Sequence, residues 1–404
     1  MILSRASRFR GKIKQRPEDF IVEEIAKNGF TLKKDAKVSC SDVNMHESKS
    51  GKFTVFVMQK QDWNTIQALK TLARKAGRGM RSTSFAGTKD RASASTQLCS
   101  IFGATAERIS STHVKDIKIN GAWQSDVGIE MGELLGNRFT VTVRDTDATA
   151  ERINEIAKGL DGLFPNYFGE QRFGYRANNA DIGLHIMRGD FERAVIAFLT
   201  DTTNERNLDS IEARERLAKE LDFGPALGYF PSYLKYERTL LEYLAKYPTD
   251  YANALRRLPR QLSLMFVHSV EDLIFNKVVD GRVGDVGIKA GDLFCDADAY
   301  GFPDVSTARR AQEPAEKGFL VGNIIGYDSK ELNETETHIL EGMSLTKEMF
   351  KINSMPELGC KGNHRAMFAP FVGFSGSVSG SDALLSFSLP SGSYATVLLD
   401  EFVQ

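Results

Sequence analysis

Strand-like segments bracket this chain, and long helical patterns fill its middle. Phe53-Thr54-Val55-Phe56-Val57-Met58 is a β-rich run. Phe139-Thr140-Val141-Thr142-Val143 alternates strictly, which predicts a half-buried strand. Between roughly 176 and 345 helical patterns dominate, among them Glu237 to Ala245 and Gln261 to Val279. Tyr247-Pro248, Leu258-Pro259 and Asp280-Gly281 punctuate them. Strand signals return near Ala383 to Leu389, and Pro390-Ser391-Gly392-Ser393 turns into a last helix from about Tyr394. A strand-and-helix fold, interrupted by a mixed insert and then resumed, fits this order. The expected class is α/β (α+β), with residues 1–175 and 346–404 forming one domain and 176–345 inserted into it. At 404 residues the length itself favours two or three domains over one core.

Composition narrows the function classes. Hydrophobic content of 42% and charged content of 26% are those of a globular protein in water. No apolar run approaches the ~20 residues that span a bilayer. The opening Met1-Ile2-Leu3-Ser4-Arg5 lacks a secretory apolar stretch, so the expected location is cytoplasmic. Cys40, Cys99, Cys295 and Cys360 are scattered, as reduced thiols would be, and the six His are equally dispersed. Neither disulfide nor zinc-ligand spacing appears, so no metal site is expected. Gly11-Lys12 and Gly51-Lys52 lack the upstream Gly of a phosphate-binding loop, and no nucleotide cofactor is expected either. Net charge is −1, yet residues 1–100 hold 20 Lys+Arg against 9 Asp+Glu. A basic first quarter on a neutral protein suits an anionic partner.

Local signals refine that quarter. Asn64 caps an expected helix from Thr65 to Lys75, with Ile66, Leu69, Leu72 and Ala73 at helical spacing and Gly77 as its stop. Arg74, Lys75, Arg78 and Arg81 cluster at its end. Two readings stand: cations favouring a helix C-terminus, or contacts to nucleic-acid phosphates. A short strand from Ser82 to Phe85 then leads into Ala86-Gly87-Thr88-Lys89-Asp90-Arg91. One carboxylate sits between two cations at a turn, which makes Asp90 a candidate nucleophile or base. On that octet alone a charged β-turn is the competing reading.

Five segments in order resemble the TruD family of tRNA pseudouridine synthases. They are Lys14-Gln15-Arg16-Pro17-Glu18-Asp19-Phe20-Ile21-Val22-Glu23-Glu24, the Asp90 segment, Leu135-Gly136-Asn137-Arg138-Phe139, Pro165-Asn166-Tyr167-Phe168-Gly169-Glu170-Gln171-Arg172-Phe173-Gly174, and Leu389-Pro390-Ser391-Gly392-Ser393-Tyr394-Ala395-Thr396. The resemblance thus runs from residue 14 to 396, with little matched between about 176 and 345.

The resemblance implies a pseudouridine synthase catalytic domain carrying a helix-rich insertion domain. It implies a cofactor-free isomerisation in which uridine, at position 13 of tRNA, is detached at N1–C1′ and rejoined through C5. Asp90 matches the catalytic Asp, and sequence leaves open attack on C1′ or removal of the 2′ proton. Lys14 matches the basic residue near it. Phe139 stacks on the target base in that scheme, and Asn137 helps place Asp90. Two apart on one strand, these two share a face. For Phe139 core packing is the competing reading, and for Asn137 a turn before the strand. Lys89 and Arg91 join Arg74, Lys75, Arg78 and Arg81 as expected RNA contacts. Phe168 and Arg172 either shape the RNA cleft or pack one domain on another. Glu18, Asp19, Glu23 and Glu24 read as a solvated or ion-paired acidic edge. The expected partner is tRNA, with no membrane and no obligate protein partner. A non-catalytic RNA-binding protein on the same scaffold is the main alternative. A carboxylate-nucleophile hydrolase is disfavoured because no second acid stands out.

Overall fold

The computed structural model describes residue 3, residues 6–314 and residues 317–404. The reading of Met1–Arg5 as no leader lies, Leu3 apart, outside the described residues. Among the described residues no helix is long and apolar enough to cross a membrane.

The chain forms two compact units. A sheet unit takes the residues up to Pro165, a short return at Ala297–Pro303, and Ala369–Gln404. A helical unit takes Asn166–Asp296 and Asp304–Phe368. The sequence expectation put the divisions at 175/176 and 345/346 instead. The reason lies in packing. Asn166 donates Nδ2 to the carbonyl of Ala366 at 2.9 Å, and the Phe168 N–H donates to Asn276 Oδ1 at 2.8 Å, so this motif belongs to the helical unit. Phe350, Ile352, Met355 and Leu358 are buried in the helical core, which keeps the stretch after 345 in that unit too.

The sheet unit is built on eight strands. They include β1 (Phe20–Ile25), β2 (Phe53–Gln61), β3 (Thr83–Phe85), β4 (Ala94–Phe102), β5 (Ile117–Ser125) and β6 (Gly136–Val143). The C-terminal hairpin strands Val372–Ser379 and Asp382–Pro390 complete it. The order is Val372–Ser379, Asp382–Pro390, β6, β1, β4, β2, β5, with β3 paired to β4. Only β1 and β4 run parallel; the other pairings are antiparallel. Central β2 is covered on both faces, which is why its sequence reads as a continuous apolar run. Val55 and Val57 enter one core cluster, Phe56 and Met58 another. Helix α1 (Thr65–Lys75) lies on the second, burying Ala68, Leu69, Leu72 and Ala73. Asn64 caps it by accepting from the Ile66 N–H, as the sequence indicated, whereas Ile66 itself is exposed.

The helical unit packs around the long helix Arg260–Asp280, with Phe266, Val270 and Ile274 in its core beside Leu240 and Leu241. The helix Asn179–Met187 crosses it at Gly183, where a Cβ would lie 2.1 Å from the Phe266 carbonyl oxygen. A four-stranded sheet, ordered Asn363–Ala366, Phe319–Ile324, Leu293–Ala297, Pro303–Arg310, belongs with these helices in sequence.

Candidate active site around Asp90

Asp90 sits on the loop from β3 to β4, and that loop is tied from beneath. The Lys89 N–H donates to Thr65 Oγ1 at 3.0 Å, at the first turn of α1. Gln97 on β4 donates Nε2 to the Gly87 carbonyl at 2.9 Å. Ser93 Oγ donates to the Asp90 carbonyl at 2.8 Å. Lys60, on β2 and with 0% exposure, donates Nζ to the carbonyls of Asp90 at 2.9 Å and Lys89 at 3.3 Å. Burial and the nearby Lys89 ammonium push the Lys60 amine down to about 8. Side chains from β2, α1 and β4 therefore fix a loop that has no regular structure of its own, which is the preorganisation a reacting carboxylate needs.

The Asp90 side chain faces the other way and stays 40% exposed. Lys14 donates Nζ to its Oδ2 at 2.9 Å. The same ammonium lies 4.3 Å from the centroid of the Phe20 ring, a cation–π contact. Lys14 has φ of 55°, the left-handed region that a side-chain-bearing residue seldom adopts. Backbone strain at a residue that meets the candidate carboxylate points to a demand for that aim. Asp90 and Lys14, far apart in sequence, are thus brought together.

Strand β6 supplies the next two candidates. Asn137 lies opposite Glu24 on β1, and Phe139 opposite Val22, so both share the face of Phe20. Gly136 precedes them because a Cβ there would lie 2.2 Å from the Leu389 carbonyl oxygen. The Asn137 Oδ1 is buried and finds no hydrogen-bond partner among the described residues. Phe139 is 6% exposed, stacked on Phe387 at 5.5 Å and edge-on to Phe20 at 5.9 Å. In this structure it is a core ring. Its contact with Phe20 connects it to Lys14, and through Lys14 to Asp90.

Several expectations are corrected. Lys89 does not face solvent. Its Nζ pairs with Glu24 Oε2 at 2.7 Å, and both side chains are buried, so it anchors the loop and cannot reach an RNA phosphate. Glu24 and Asp19 are ion-paired and not solvated, and their partners are Lys89 and Arg144 in place of the neighbouring Lys12, Lys14 and Arg16. Glu24 also accepts from the Leu98 N–H at 2.9 Å, and buried Asp19 accepts from Arg144, which bridges to Asp382. Phe168 is buried within the helical unit. Arg365 and Arg172 lie over its ring at 4.3 and 5.5 Å, and Phe275 meets its edge. Arg172 donates Nε to buried Asp272 at 2.7 Å, so its role is to hold that helix face. Arg74, Lys75, Arg78, Arg81 and Arg91 lie at the surface, as phosphate contacts require. Lys75 also donates to the His113 carbonyl, Arg78 to that of Gly103, and Arg91 pairs with Asp62.

Lys60, Glu24 and Thr65 were not among the sequence candidates. A lysine within the β-rich run after Phe53 was the available signal. A charge in a strand with both faces covered must find partners, and here they are the carbonyls of the Asp90 loop.

The chain resembles known proteins along its whole length. The family model for tRNA pseudouridine synthase D (TruD) matches residues 1–402. A Methanococcoides burtonii protein named "probable tRNA pseudouridine synthase D" is 30% identical over 98% of this chain and 93% of its own. A Methanococcus maripaludis protein of the same name is 33% identical over 98% of this chain and 95% of its own. The crystal structure of a Methanosarcina mazei protein named "putative tRNA pseudouridine synthase D" matches with a TM-score of 0.78 at 29% identity, covering 100% of this chain and 95% of that one. With its Asp90 loop, its Lys14 and its β6 motif in one sheet unit, the chain belongs to the tRNA pseudouridine synthase D family, a family of isomerases.

Proposed function

We propose that this protein converts uridine 13 of tRNA to pseudouridine, with Asp90 as the group that acts on the ribose. The observation that carries the reading is a half-exposed carboxylate salt-bridged to Lys14 at 2.9 Å, on a loop held from below by buried Lys60. Position 13 rests on the family resemblance alone, and tRNA on that resemblance and on the relatives' names. A cytoplasmic location accompanies that reading.

The chemistry balances without an external reactant. The N1–C1′ bond breaks and a C5–C1′ bond forms. The proton lost from C5 is matched by one gained at N1, and no electrons are exchanged. C1′ becomes electron-poor as the base leaves, and an adjacent carboxylate can stabilise or trap it. In one route Asp90 attacks C1′ and is displaced when C5 returns. In the other it removes the 2′ proton to give a glycal and later gives it back. Lys14 fixes the orientation of the carboxylate in either route. Asn137, whose buried Oδ1 lacks a partner among the described residues, is placed to receive a hydrogen bond from the bound nucleotide. The substrate-facing role of Phe139 is limited to the edge left uncovered by Phe20 and Phe387. A uridine within a folded RNA must leave its stack to reach such a site. Surface residues Arg74, Lys75, Arg78, Arg81 and Arg91 supply cations for the RNA backbone.

The test is pseudouridine mapping on an unmodified tRNA transcript incubated with the pure protein. Pseudouridine at position 13, lost in Asp90→Asn while tRNA binding persists, supports the proposal. Tight, salt-sensitive binding with no product, indifferent to Asp90→Asn, would replace it with an RNA-binding role. Product at another position would move the target and keep the mechanism.

A further inference from the structure

The sequence expectation of no metal site rested on dispersion along the chain. In space, three residues of the helical unit converge. His268 and Glu271 lie three apart on the helix Arg260–Asp280, hence on one face. Cys360 reaches them from the segment that follows residue 345. The donor atoms of all three lie within 4.8 Å of one another. We infer that His268, Glu271 and Cys360 form a site for one zinc-class divalent cation, with water in the fourth position.

The geometry separates this reading from a nucleophilic relay. In a Cys–His–carboxylate triad the thiol and the carboxylate meet opposite nitrogens of the ring. Here both meet the same one. Glu271 Oε2 is 2.6 Å from His268 Nδ1, and Cys360 Sγ is 3.7 Å from that same Nδ1. Three donors turned toward one point suit an ion at that point. With Zn–S of about 2.3 Å and Zn–N of about 2.1 Å, a tetrahedral angle sets S and N roughly 3.6 Å apart. The observed 3.7 Å already fits. The carboxylate–imidazole distance is shorter, because a hydrogen bond now spans the gap; a cation replacing that proton lets the two draw apart.

The surroundings fit as well. The Glu271 carboxylate is buried, with His268 Nδ1 as its hydrogen-bond partner. The buried Cys360 thiol stands beside that carboxylate, so an ion there would meet an oxygen and a sulfur ligand shielded from water. Binding takes Cys360 as the thiolate and His268 through a bare Nδ1, so the thiol proton passes to solvent and the proton of the His268–Glu271 hydrogen bond passes to solvent or to Nε2. The backbone of Cys360 is fixed: its N–H donates to the Phe350 carbonyl at 2.9 Å, and its carbonyl accepts from the Tyr327 N–H at 2.9 Å. The His268 side chain is 42% exposed, which leaves an entry path and room for a water ligand. The ion would pin the 346–360 segment to the long helix, a structural role.

The experiment uses the full chain, treated with chelator and titrated with Co2+. The expected result is a thiolate-to-cobalt charge-transfer band saturating at about one equivalent, as the ligand set of a single site requires, and displaced by Zn2+. It should persist in Cys40→Ser and vanish in Cys360→Ser. Because Cys360 is buried, His268→Ala is the second variant; its side chain is partly exposed and the fold should tolerate it. That variant should bind Co2+ at least tenfold more weakly, and Zn2+ should raise the thermal midpoint of the wild type but not of His268→Ala. No thiolate band, a band that survives Cys360→Ser, or unchanged affinity in His268→Ala would each overturn the proposal.

Discussion

Lys60 Nζ donates to the backbone carbonyl of Asp90 at 2.9 Å from a side chain with no exposed surface. A buried ammonium thereby sets the height of the loop that carries the candidate catalytic carboxylate. In Lys60→Met the hydroxyl donors to the two carbonyls stay, Ser93 Oγ at 2.8 Å and Thr65 Oγ1 at 3.4 Å, but the charged one is gone. A charged donor makes the stronger hydrogen bond, so the loop loosens. A displacement of about 1 Å at a reacting group can cost roughly 100-fold in rate. Single-turnover pseudouridine formation should fall by about that much, while tRNA affinity stays within a few-fold. Equal loss of affinity would show that the loop, not the carboxylate, meets the RNA.

The same lysine predicts a pH signature. Burial and the Lys89 ammonium hold Lys60 down at about 8, against the opposing pull of Asp90 and Cys99. In the unfolded chain it returns to about 10.4. Between these values the unfolded state binds more protons, so stability rises with pH through this window. The full penalty applies below pH 8, and its relief amounts to about 3 kcal/mol by pH 10.4, as an order of magnitude. Cys99, pushed well up by burial, tilts stability the other way above pH 9, and it does so in both proteins. Urea midpoints of wild type minus Lys60→Met, measured at pH 8 and pH 10, should therefore show a rise belonging to the wild type. A flat difference would mean that folded Lys60 keeps its proton up to pH 10, as the unfolded chain does.

Lys89 and Glu24 form a buried pair at 2.7 Å. Removing one member leaves the other charge stranded, so Lys89→Met should cost about 3–5 kcal/mol. The double variant Lys89→Met/Glu24→Gln should recover much of that. The second substitution removes the stranded charge, and the amide oxygen it introduces can still accept from the Leu98 N–H. Chemical denaturation of the four proteins in the cycle measures the coupling. Additive losses would show that the pair is not a unit.

Much of this was legible beforehand, and for identifiable reasons. The cap at Asn64 and the alternation of β6 are local signals, so the sequence carries them directly. Asp90 stood out as a candidate because a carboxylate between two cations at a turn is visible in eight residues, although that octet alone reads equally as a charged β-turn. What happens to those cations was not. Lys89 goes inward to Glu24 on β1, and Arg91 outward to Asp62, a choice made by strand pairing over long range. The same limit hid Lys60, since nothing local says which carbonyls will meet it. Phe168 and Arg172 read as cleft residues or as packing residues, because aromatics and cations suit both. Folding spends them on Asp272, Phe275 and Arg365, which sequence spacing does not bring near.

Asn137 offers the sharpest separation of stability from function. Its Oδ1 is buried with no partner among the described residues, on the strand face that runs from Phe139 to Glu24. An unsatisfied buried polar atom costs about 1–3 kcal/mol, so a purely structural role predicts that removing it is harmless. Asn137→Leu, similar in shape, should raise the thermal midpoint or leave it unchanged. If the amide instead completes its hydrogen bonds with the bound nucleotide, the same variant should lose roughly 100-fold in rate, the scale of one preorganised donor or acceptor at a reacting centre. A stable Asn137→Leu that isomerises uridine at the wild-type rate would remove Asn137 from the site. A stable but slow variant would show that the fold carries an unpaired oxygen because the reaction uses it.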